Sequence, residues 1–142
     1  MSKSAFIKLV DGSSSATVDL QDVKKELSRY VEMTTDTGKQ LDWEYAEAAF
    51  PYTMEEKQTD GTRWLLLKGK EPQLYKHLIV GVNTGTLEAV RSVPHIQIVV
   101  PDGATHGDTA KANEFSRFLA RSFQGELHLF NGRVMYFYPR KP

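Results

Sequence analysis

The fold is decided by the stretch from Ile96 to Tyr138, which contains IQIVV (Ile96 to Val100), DTAKANEFSRFLARSFQ (Asp108 to Gln124) and ELHLFNGRVMYFY (Glu126 to Tyr138). The first segment is β-prone and largely apolar, the second repeats apolar residues at helical spacing, and the third has β-prone residues on both sides of Asn-Gly. These patterns predict a buried strand, an amphipathic helix and a β-hairpin, in that order.

The turn of the hairpin predicts its register. Asn131 and Gly132 both tolerate the positive φ that a two-residue type I′ turn requires, so Leu129 should oppose Val134. One face of the hairpin then carries Leu127, Leu129, Val134, Tyr136 and Tyr138, and the other carries Glu126, His128, Phe130, Arg133, Met135 and Phe137. Because the second face mixes apolar and charged side chains, we expect that another element covers it or that it binds a partner.

The helix is predicted to begin with Asp108 as its N-cap and to end before Gly125, the expected C′ residue. Its apolar stripe should pack on the sheet and consists of Ala112, Phe115, Phe118, Leu119 and Phe123. The outer face is polar, with a spacing that allows weak surface ion pairs, and carries Lys111, Glu114, Arg117 and Arg121.

Earlier in the chain, four segments have strand patterns: Ala5 to Val10, Tyr52 to Gln58, Thr62 to Lys68 and Leu74 to Val82. Asp60 and Gly61 are a hairpin signal between the second and the third of these strands. The third strand contains the consecutive apolar residues Trp64, Leu65, Leu66 and Leu67. Such a run implies that both faces of this strand are buried.

Further helices are predicted upstream. The first should start at Asp19, its N-cap, with Gly38 beyond its end. A short second helix is expected from Leu41 to Ala49, because Pro51 follows it and disfavours helical backbone before it. The segment from Thr86 to Val93 fits either a short helix or a strand. Since hairpins dominate the strands, the order of elements predicts an α+β fold, with a largely antiparallel sheet and helices mainly on one face.

Composition and charge limit the number of domains, the cellular compartment and the partners that we expect for this chain. The 142 residues show no internal repeat or dividing linker, so residues 1–142 are predicted to form one domain. Eighteen Lys and Arg balance eighteen Asp and Glu, so no net charge attracts nucleic acid or an anionic membrane. The absence of Cys excludes disulfides and fits a reducing compartment. Without a signal-peptide pattern or an apolar run of about 20 residues, we expect a cytoplasmic protein that does not contact a membrane.

The loop from Asp102 to Asp108 holds the densest group of side chains suited to ligand binding or proton transfer. His106 and Asp108 lie where a helix begins, so free backbone amides and a carboxylate with an imidazole are close together. A capping role should lower the pKa of Asp108. His128 is the third candidate ligand-binding residue. None of the four histidines has metal-ligand spacing, so we predict no metal site and no cofactor.

Nucleic-acid binding is not expected. The run from Gly132 to Tyr138 has the aromatic character of strands on which RNA bases stack, but Tyr136 and Phe137 point to opposite faces and the cationic background is missing. The sequence also lacks GxxxxGK[ST], GxGxxG and GxSxG motifs, so nothing indicates nucleotide hydrolysis, dinucleotide chemistry or serine hydrolysis.

Three stretches, GKQLDWEYAEAAFPY (Gly38 to Tyr52), ATHGDTAKANEF (Ala104 to Phe115) and GELHLFNGRVMYFY (Gly125 to Tyr138), together resemble a family of uncharacterised proteins. This domain-of-unknown-function family is typical of spore-forming Gram-positive bacilli, and the resemblance covers nearly the whole chain. It implies a small cytoplasmic α+β protein whose sheet is similar to the TATA-binding-protein-like topology. It implies no activity, cofactor or site residue, and DNA binding does not follow from a shared fold.

No pattern in the sequence identifies a reaction, a ligand or a partner, so the sequence leaves the function unknown. We predict a non-enzymatic cytosolic interaction or regulatory domain. It would self-associate or bind a protein partner through the second hairpin face, at Phe130, Arg133, Met135 and Phe137. The alternative is a small-ligand-binding protein, or an enzyme, that uses the 102–108 loop with His128. A cleft would favour the alternative, and a broad flat surface would favour a partner.

Overall fold

The computed structural model describes residues 3–10, 12–14, 17–41, 50–59, 62–71, 73–83 and 93–138. Within these ranges the chain forms seven strands and two helices. In chain order they are β1 (Lys3–Lys8), α1 (Leu20–Leu41), β2 (Tyr52–Thr59), β3 (Thr62–Gly69), β4 (His77–Val82), β5 (His95–Val100), α2 (His106–Phe123), β6 (Glu126–His128) and β7 (Val134–Tyr136). No helix in this part of the chain is long and apolar enough to cross a membrane.

The strands form one antiparallel sheet in the order β2-β3-β4-β5-β1-β6-β7. The first strand of the chain therefore lies inside the sheet. Ile7 of β1 pairs with Ile96 of β5 on one side and with Leu127 of β6 on the other. The α+β class and the antiparallel sheet that the sequence predicts are confirmed.

Both helices pack on the same face of the sheet. Val23 and Leu27 of α1 and Phe115 and Leu119 of α2 are buried in one hydrophobic core with the inward residues of the strands, such as Ile98. Burying one such side chain stabilises the fold by roughly 1.5 to 3 kcal/mol relative to leaving it exposed. The opposite face of the sheet has no helix of the described residues on it. We call it the open face.

The start of α1 agrees with the prediction. Asp19 Oδ1 accepts a hydrogen bond from the backbone N–H of Asp22 (2.9 Å), and Asp22 Oδ2 accepts one from the N–H of Asp19 (3.0 Å). The predicted end is wrong, because the helix continues through Gly38 to Leu41. One glycine inside a helix costs only about 1 kcal/mol relative to alanine, so it is a weak stop signal.

The start of α2 differs from the prediction. Thr105 is the N-cap, and Asp108 is the third residue of the helix, N3, rather than the cap. The Thr105 side chain accepts a hydrogen bond from the N–H of Asp108 (3.0 Å), and Asp108 Oδ2 accepts one from the N–H of Thr105 (3.0 Å). This reciprocal capping box satisfies two backbone donors instead of one, which favours the earlier start.

The end of α2 also differs. Gln124, not Gly125, adopts the left-handed conformation, with φ 52° and ψ 50°. Gly125 is required for another reason. A Cβ on it would lie 2.9 Å from Ile7 Cγ2 and 2.9 Å from the Lys8 carbonyl oxygen. The absence of a side chain therefore lets the chain pass close to β1 as it leaves the helix.

The two predicted hairpins have different outcomes. The first is confirmed, since β2 and β3 pair up to Thr59 and Thr62, and its turn residues lie outside the described ranges. The predicted register of the second is wrong by one residue, because Leu127 pairs with Met135 and His128 with Val134.

The physical reason lies in the turn of the second hairpin. Only Gly132 has a positive φ (86°), and its N–H donates to the Leu129 carbonyl (3.0 Å). The N–H of Leu129 donates a hydrogen bond to the Arg133 carbonyl (2.8 Å). The loop therefore has three residues, a tight turn followed by a left-handed glycine, instead of the two-residue type I′ turn. Every side chain of β7 consequently lies on the opposite face from the one predicted.

The bounds of β1 and β4 also differ from the predicted strands. β1 begins at Lys3 and ends at Lys8, earlier than the predicted strand. β4 begins at His77, because Leu74 and Tyr75 both donate their N–H to the Glu71 carbonyl in a turn (2.9 and 2.8 Å). The short helix expected between residues 41 and 49 and the ambiguous segment 86–93 fall outside the described residues, apart from the terminal residue of each.

Candidate functional site

A groove of about 690 Å³ runs between α2 and the turn that joins β6 to β7. One wall is a single side of α2, because residues three or four apart share a helix face. This wall consists of Ala110, Asn113, Glu114, Arg117, Phe118 and Arg121. Leu129, Asn131 and Arg133 form the facing wall, and Tyr30 of α1 also lines the groove. We call it the α2 groove.

Three arginines concentrate positive charge in the α2 groove. Arg117, Arg121 and Arg133 are exposed, and none of them forms an ion pair with a carboxylate of the described residues. A guanidinium is always charged in proteins, and its planar fork of N–H donors matches carboxylate and phosphate oxygens. Because the whole chain has no net charge, this positive charge is a local feature.

Glu114, the one carboxylate among the described lining residues, does not neutralise the arginines. Glu114 Oε1 accepts a hydrogen bond from the Tyr30 hydroxyl (2.9 Å), and its Oε2 accepts one from Lys111 Nζ (3.0 Å). Lys111 thus offsets the charge of Glu114. The surface pair predicted between Lys111 and Glu114 is confirmed, whereas no such pair joins Glu114 to Arg117 among the described contacts.

Two aromatic rings contact arginine side chains in or beside the α2 groove. The guanidinium carbon of Arg121 lies 5.9 Å from the centre of the Phe137 ring. On α1, Arg29 lies 5.3 Å from the centre of the Phe118 ring and forms a 2.8 Å ion pair with Glu26. A cation above an aromatic face gains about 0.5 to 1 kcal/mol at an exposed site. Arg121 is therefore partly held in position before any ligand arrives.

Asp108, a predicted ligand-binding residue, lies elsewhere and is completely buried. Its Oδ1 accepts a hydrogen bond from the Tyr52 hydroxyl (2.6 Å), and its Oδ2 accepts from the N–H groups of Lys76 (3.0 Å) and Thr105 (3.0 Å). The carboxylate thereby joins β2, the segment before β4 and the first turn of α2. This arrangement uses Asp108 to hold three elements together.

The hydrogen bonds decide the charge state of this pair. Burial by itself would raise the pKa of Asp108, but the bonds from Tyr52 and from the backbone of Thr105 and Lys76 outweigh burial and lower the pKa. The lowering predicted from the sequence is confirmed, although Asp108 is not the N-cap. Burial, and then the nearby Asp108 carboxylate, raise the pKa of Tyr52, so its hydroxyl remains a donor.

His106, the second predicted residue, lies at a different cavity. It is exposed at the first position of α2, beside a cavity of about 560 Å³ formed by the loop after β5. Asp102, Thr105 and Lys3 also line this cavity, whereas Asp108 does not. The structure therefore separates His106 from Asp108, although they are two residues apart in the sequence.

His128, the third predicted residue, lies on the open face. It is flanked on that face by Phe6 of β1 and Val134 of β7, and its Nε2 is 2.7 Å from Glu126 Oε1. The sheet lies between His128 and the core in which Asp108 is buried, so the predicted ligand-binding residues do not converge. In the described ranges, no group of three His, Asp or Glu side chains could hold a metal ion.

The predicted partner-binding residues do not form the expected face. Phe130, Met135 and Phe137 are partly buried against the hydrophobic core, and Arg133 is exposed in the α2 groove. The shifted register separates them from Glu126 and His128, which remain on the open face. Of this set, only Arg133 belongs to the candidate site.

The sequence patterns do not identify four of the groove residues as site residues: Asn113, Arg117, Arg121 and Asn131. Arg117 and Arg121 are four residues apart, so they share one face of a predicted helix, and only one acidic residue lies near enough to pair with them. That imbalance was the available signal. Their closeness to the β6–β7 turn depends on how α2 packs against the sheet, which local patterns do not reveal.

The helix layer and the α2 groove define an α+β domain with a basic, aromatic-lined groove. The chain belongs to the family described as Domain of unknown function (DUF1885), whose model matches residues 3–139. It is similar to a protein of unknown function from Bacillus stearothermophilus, solved by crystallography, with 44% sequence identity and a TM-score of 0.57. That match covers 87% of this chain and 92% of the other. No curated protein matched.

These matches confirm the family resemblance predicted from the sequence. Neither of them assigns an activity, so the function is unknown on this basis.

Proposed function

We propose that the protein is a cytoplasmic, non-enzymatic interaction or regulatory domain whose α2 groove binds an acidic segment of a partner protein. The observation that carries this proposal is the convergence of Arg117, Arg121 and Arg133 on one groove without a carboxylate partner among the described residues. The absence of Cys supports the cytoplasmic setting, because a reducing compartment does not permit stable disulfides.

The chemistry of the lining supports binding rather than catalysis. Among the described residues, the lining contains no His, Ser, Thr or Asp side chain. Glu114, the one carboxylate that the described part of the chain contributes to the lining, is already engaged by Tyr30 and Lys111. Asn113 Nδ2 already donates to the Thr109 carbonyl (3.1 Å), and Asn131 Oδ1 accepts from the Arg133 N–H (3.0 Å). The Asn113 oxygen and the Asn131 nitrogen therefore supply the acceptor and the donor that suit recognition of a peptide backbone. A general base or nucleophile would have to come from outside this lining.

The shape of the groove supports a chain segment as the ligand. From Ala110 to Arg121 the α2 wall rises by roughly 16 Å at 1.5 Å per residue, which matches about five residues of extended peptide. Arg117 and Arg121 lie one helical turn apart, and Arg133 faces them from the other wall. Charges spread along a groove favour a polymer with several carboxylates over a single compact anion.

The test is a fluorescence-anisotropy titration with a fluorescein-labelled peptide of ten glutamates. Wild-type protein should bind it, and binding should weaken as salt screens the charges. Arg117→Gln and Arg121→Gln should each weaken binding by about fivefold or more, which corresponds to about 1 kcal/mol. The matched control is Arg63→Gln, because Arg63 is exposed on β3 and paired with Glu56 (2.8 Å).

Three outcomes would contradict the proposal. The glutamate peptide does not bind, Arg63→Gln weakens binding as much as the groove variants, or a Gly-Ser peptide of the same length binds equally well. Inorganic pyrophosphate is included as a separate probe. If it binds at the arginines while the peptide does not, the groove recognises a small anion rather than a protein segment.

A second candidate function is binding of a small ligand, or catalysis, at the loop after β5. The cavity of about 560 Å³ beside the exposed His106 favours it. A thermal-shift screen with divalent metals, nucleotides, phosphorylated metabolites and short RNAs tests this function. A ligand at about 100 times its Kd adds roughly 2.7 kcal/mol of stability. A stabilising ligand whose effect is lost in His106→Ala would support the loop site, and an unchanged effect in that variant would exclude it.

A further inference from the structure

The turn between β6 and β7 joins an asparagine to a glycine at the edge of the α2 groove. Asn131 lines the groove, and Gly132 follows it in the chain. Asn131, Gly132 and Arg133 are all exposed and lie outside the helices and strands. A Cβ built on Gly132 would have no atom of the described residues within 4 Å. The main chain is therefore open to water here, and no side chain at the second position shields it.

Two hydrogen bonds set the geometry of this turn. Asn131 Oδ1 accepts one from the N–H of Arg133 (3.0 Å), so the ring that this bond closes contains both Asn131 Cγ and the Gly132 nitrogen. The bond turns the side-chain carbonyl toward the following peptide unit and draws electron density from Cγ. The second bond runs from the Gly132 N–H to the Leu129 carbonyl (3.0 Å) and protects this nitrogen. One such bond is worth about a factor of ten at most in an opening equilibrium, so the protection is slight.

We propose that Asn131 is a deamidation site whose reaction changes the charge of the α2 groove. The Gly132 nitrogen gives up its proton to a solvent base and forms a bond to Asn131 Cγ. The Cγ–Nδ2 bond breaks, and the amide nitrogen leaves as ammonia. The cyclic imide then adds water, and opening at Cγ gives aspartate, whereas opening at the main-chain carbonyl carbon gives isoaspartate. In total one water is consumed and one ammonia is released, with no oxidation or reduction.

Both products place a carboxylate where a neutral amide lined the groove. This carboxylate is two residues from Arg133 in the chain and lies on the wall that faces Arg117 and Arg121. It attracts the guanidinium groups and repels the carboxylates of an incoming ligand. An acidic partner segment should therefore bind more weakly after the reaction. This consequence rests on the proposed function of the α2 groove, whereas the deamidation itself does not.

Peptide mapping by mass spectrometry, on the full chain incubated in buffer, tests the reaction. Trypsin cleaves after Arg121 and Arg133, so one peptide, Ser122 to Arg133, contains Asn131. Asn131 should become aspartate and isoaspartate at a rate within about tenfold of that in the synthetic peptide of the same sequence, because one backbone hydrogen bond protects it. Asn113 is the internal control and should stay intact, since it lies inside α2. A rate below this range, or equal conversion of Asn113, would overturn the inference.

Two substitutions separate the effect of the new charge from the loss of the amide. Asn131→Asp reproduces one product, and Asn131→Ala removes the amide without adding a charge. In the anisotropy titration with the peptide of ten glutamates, Asn131→Asp should bind about fivefold more weakly than Asn131→Ala. This difference should shrink as salt is added, because salt screens the exposed charges. Equal binding by the two variants would overturn the proposed effect on the groove.

A third substitution connects the reaction to the binding. Asn131→Gln keeps the amide, but its longer side chain would have to close a six-membered ring, so it should resist deamidation. After incubation, wild type should lose affinity for the glutamate peptide and Asn131→Gln should not; equal loss by both would contradict the proposal. Wild-type protein that never binds the peptide would contradict the proposed function and its control by deamidation, while the mapping would still decide whether Asn131 reacts.

Discussion

Replacing Asp108 by Asn tests whether this carboxylate is a structural joint between three elements. The substitution preserves the shape of the side chain but replaces one acceptor oxygen by a donor. Asp108 receives hydrogen bonds from three donors, at 2.6, 3.0 and 3.0 Å, and is completely buried. With its nitrogen at the Oδ2 position, the amide faces the N–H groups of Lys76 and Thr105. With its nitrogen at the Oδ1 position, the Tyr52 hydroxyl has to turn from donor to acceptor, and both orientations lose the hydrogen bonds to a charged group.

The expected loss can be worked from these contacts. A hydrogen bond to a charged group contributes about 1.5 to 3 kcal/mol, and a buried donor left unpaired adds its desolvation penalty. We expect Asp108→Asn to lower the free energy of unfolding at pH 7 by about 2 to 4 kcal/mol, or the midpoint of thermal unfolding by roughly 10 °C. Urea denaturation followed by circular dichroism measures the loss. Asp36→Asn is the control, because Asp36 is exposed on α1.

The stability that the Asp108 charge contributes should decrease at low pH. Because the folded pKa of Asp108 is lowered, its charge stabilises the fold fully above the unfolded pKa of about 3.9. That contribution is lost as the pH falls through the folded pKa. The difference between wild type and Asp108→Asn should therefore be constant from pH 5 to 8 and should narrow below about pH 4. A difference below about 0.5 kcal/mol at pH 7, or one that grows on acidification, would show that the Asp108 carboxylate does not hold these elements together.

Two further substitutions probe the hydrophobic core and the point where the chain leaves α2. Phe115→Ala removes a side chain that is 1% exposed. It should lower the free energy of unfolding, measured by urea denaturation, by about 3 to 5 kcal/mol. A loss under about 1 kcal/mol would contradict the burial of Phe115 in the core. Gly125→Ala places a Cβ 2.9 Å from Ile7 Cγ2 and should cost about 1 to 3 kcal/mol in the same assay, whereas an unchanged midpoint would show that β1 does not approach this residue so closely.

The sequence predicted what depends on local periodicity. The apolar stripe of α2 and the pairing of β2 with β3 follow from repeats of 3.6 and 2 residues, and both are present in the structure. The class of the fold follows from the order of these elements. Nothing in the sequence, however, showed that β1 would lie between β5 and β6, because strand order is set by packing over the whole chain.

The errors came from sites where two local solutions compete. Asn131 and Gly132 permit a two-residue turn, but the structure uses a three-residue loop, and that single residue moves Met135 and Phe137 from the predicted binding face to the core side. Asp108 is a good cap by residue type, but Thr105 with Asp108 at N3 satisfies more donors.

The candidate site was harder to predict than the fold, because it joins distant parts of the chain. Arg117 and Arg121 look like ordinary solvated residues of a surface helix. They become a binding site only when Arg133 faces them across the groove, which requires the observed packing of α2 beside the β6–β7 turn. Asn113 and Asn131 line the same groove for the same reason.

A ¹H–¹⁵N correlation spectrum of the labelled protein, titrated with the peptide of ten glutamates, shows whether the α2 groove binds an acidic segment. The proposed function predicts shifts that saturate and that are concentrated at the backbone and side-chain N–H groups of Asn113, Arg117, Arg121 and Arg133. Shifts confined to His106 and its loop, shifts confined to the strands of the open face, or a spectrum that does not change would contradict it.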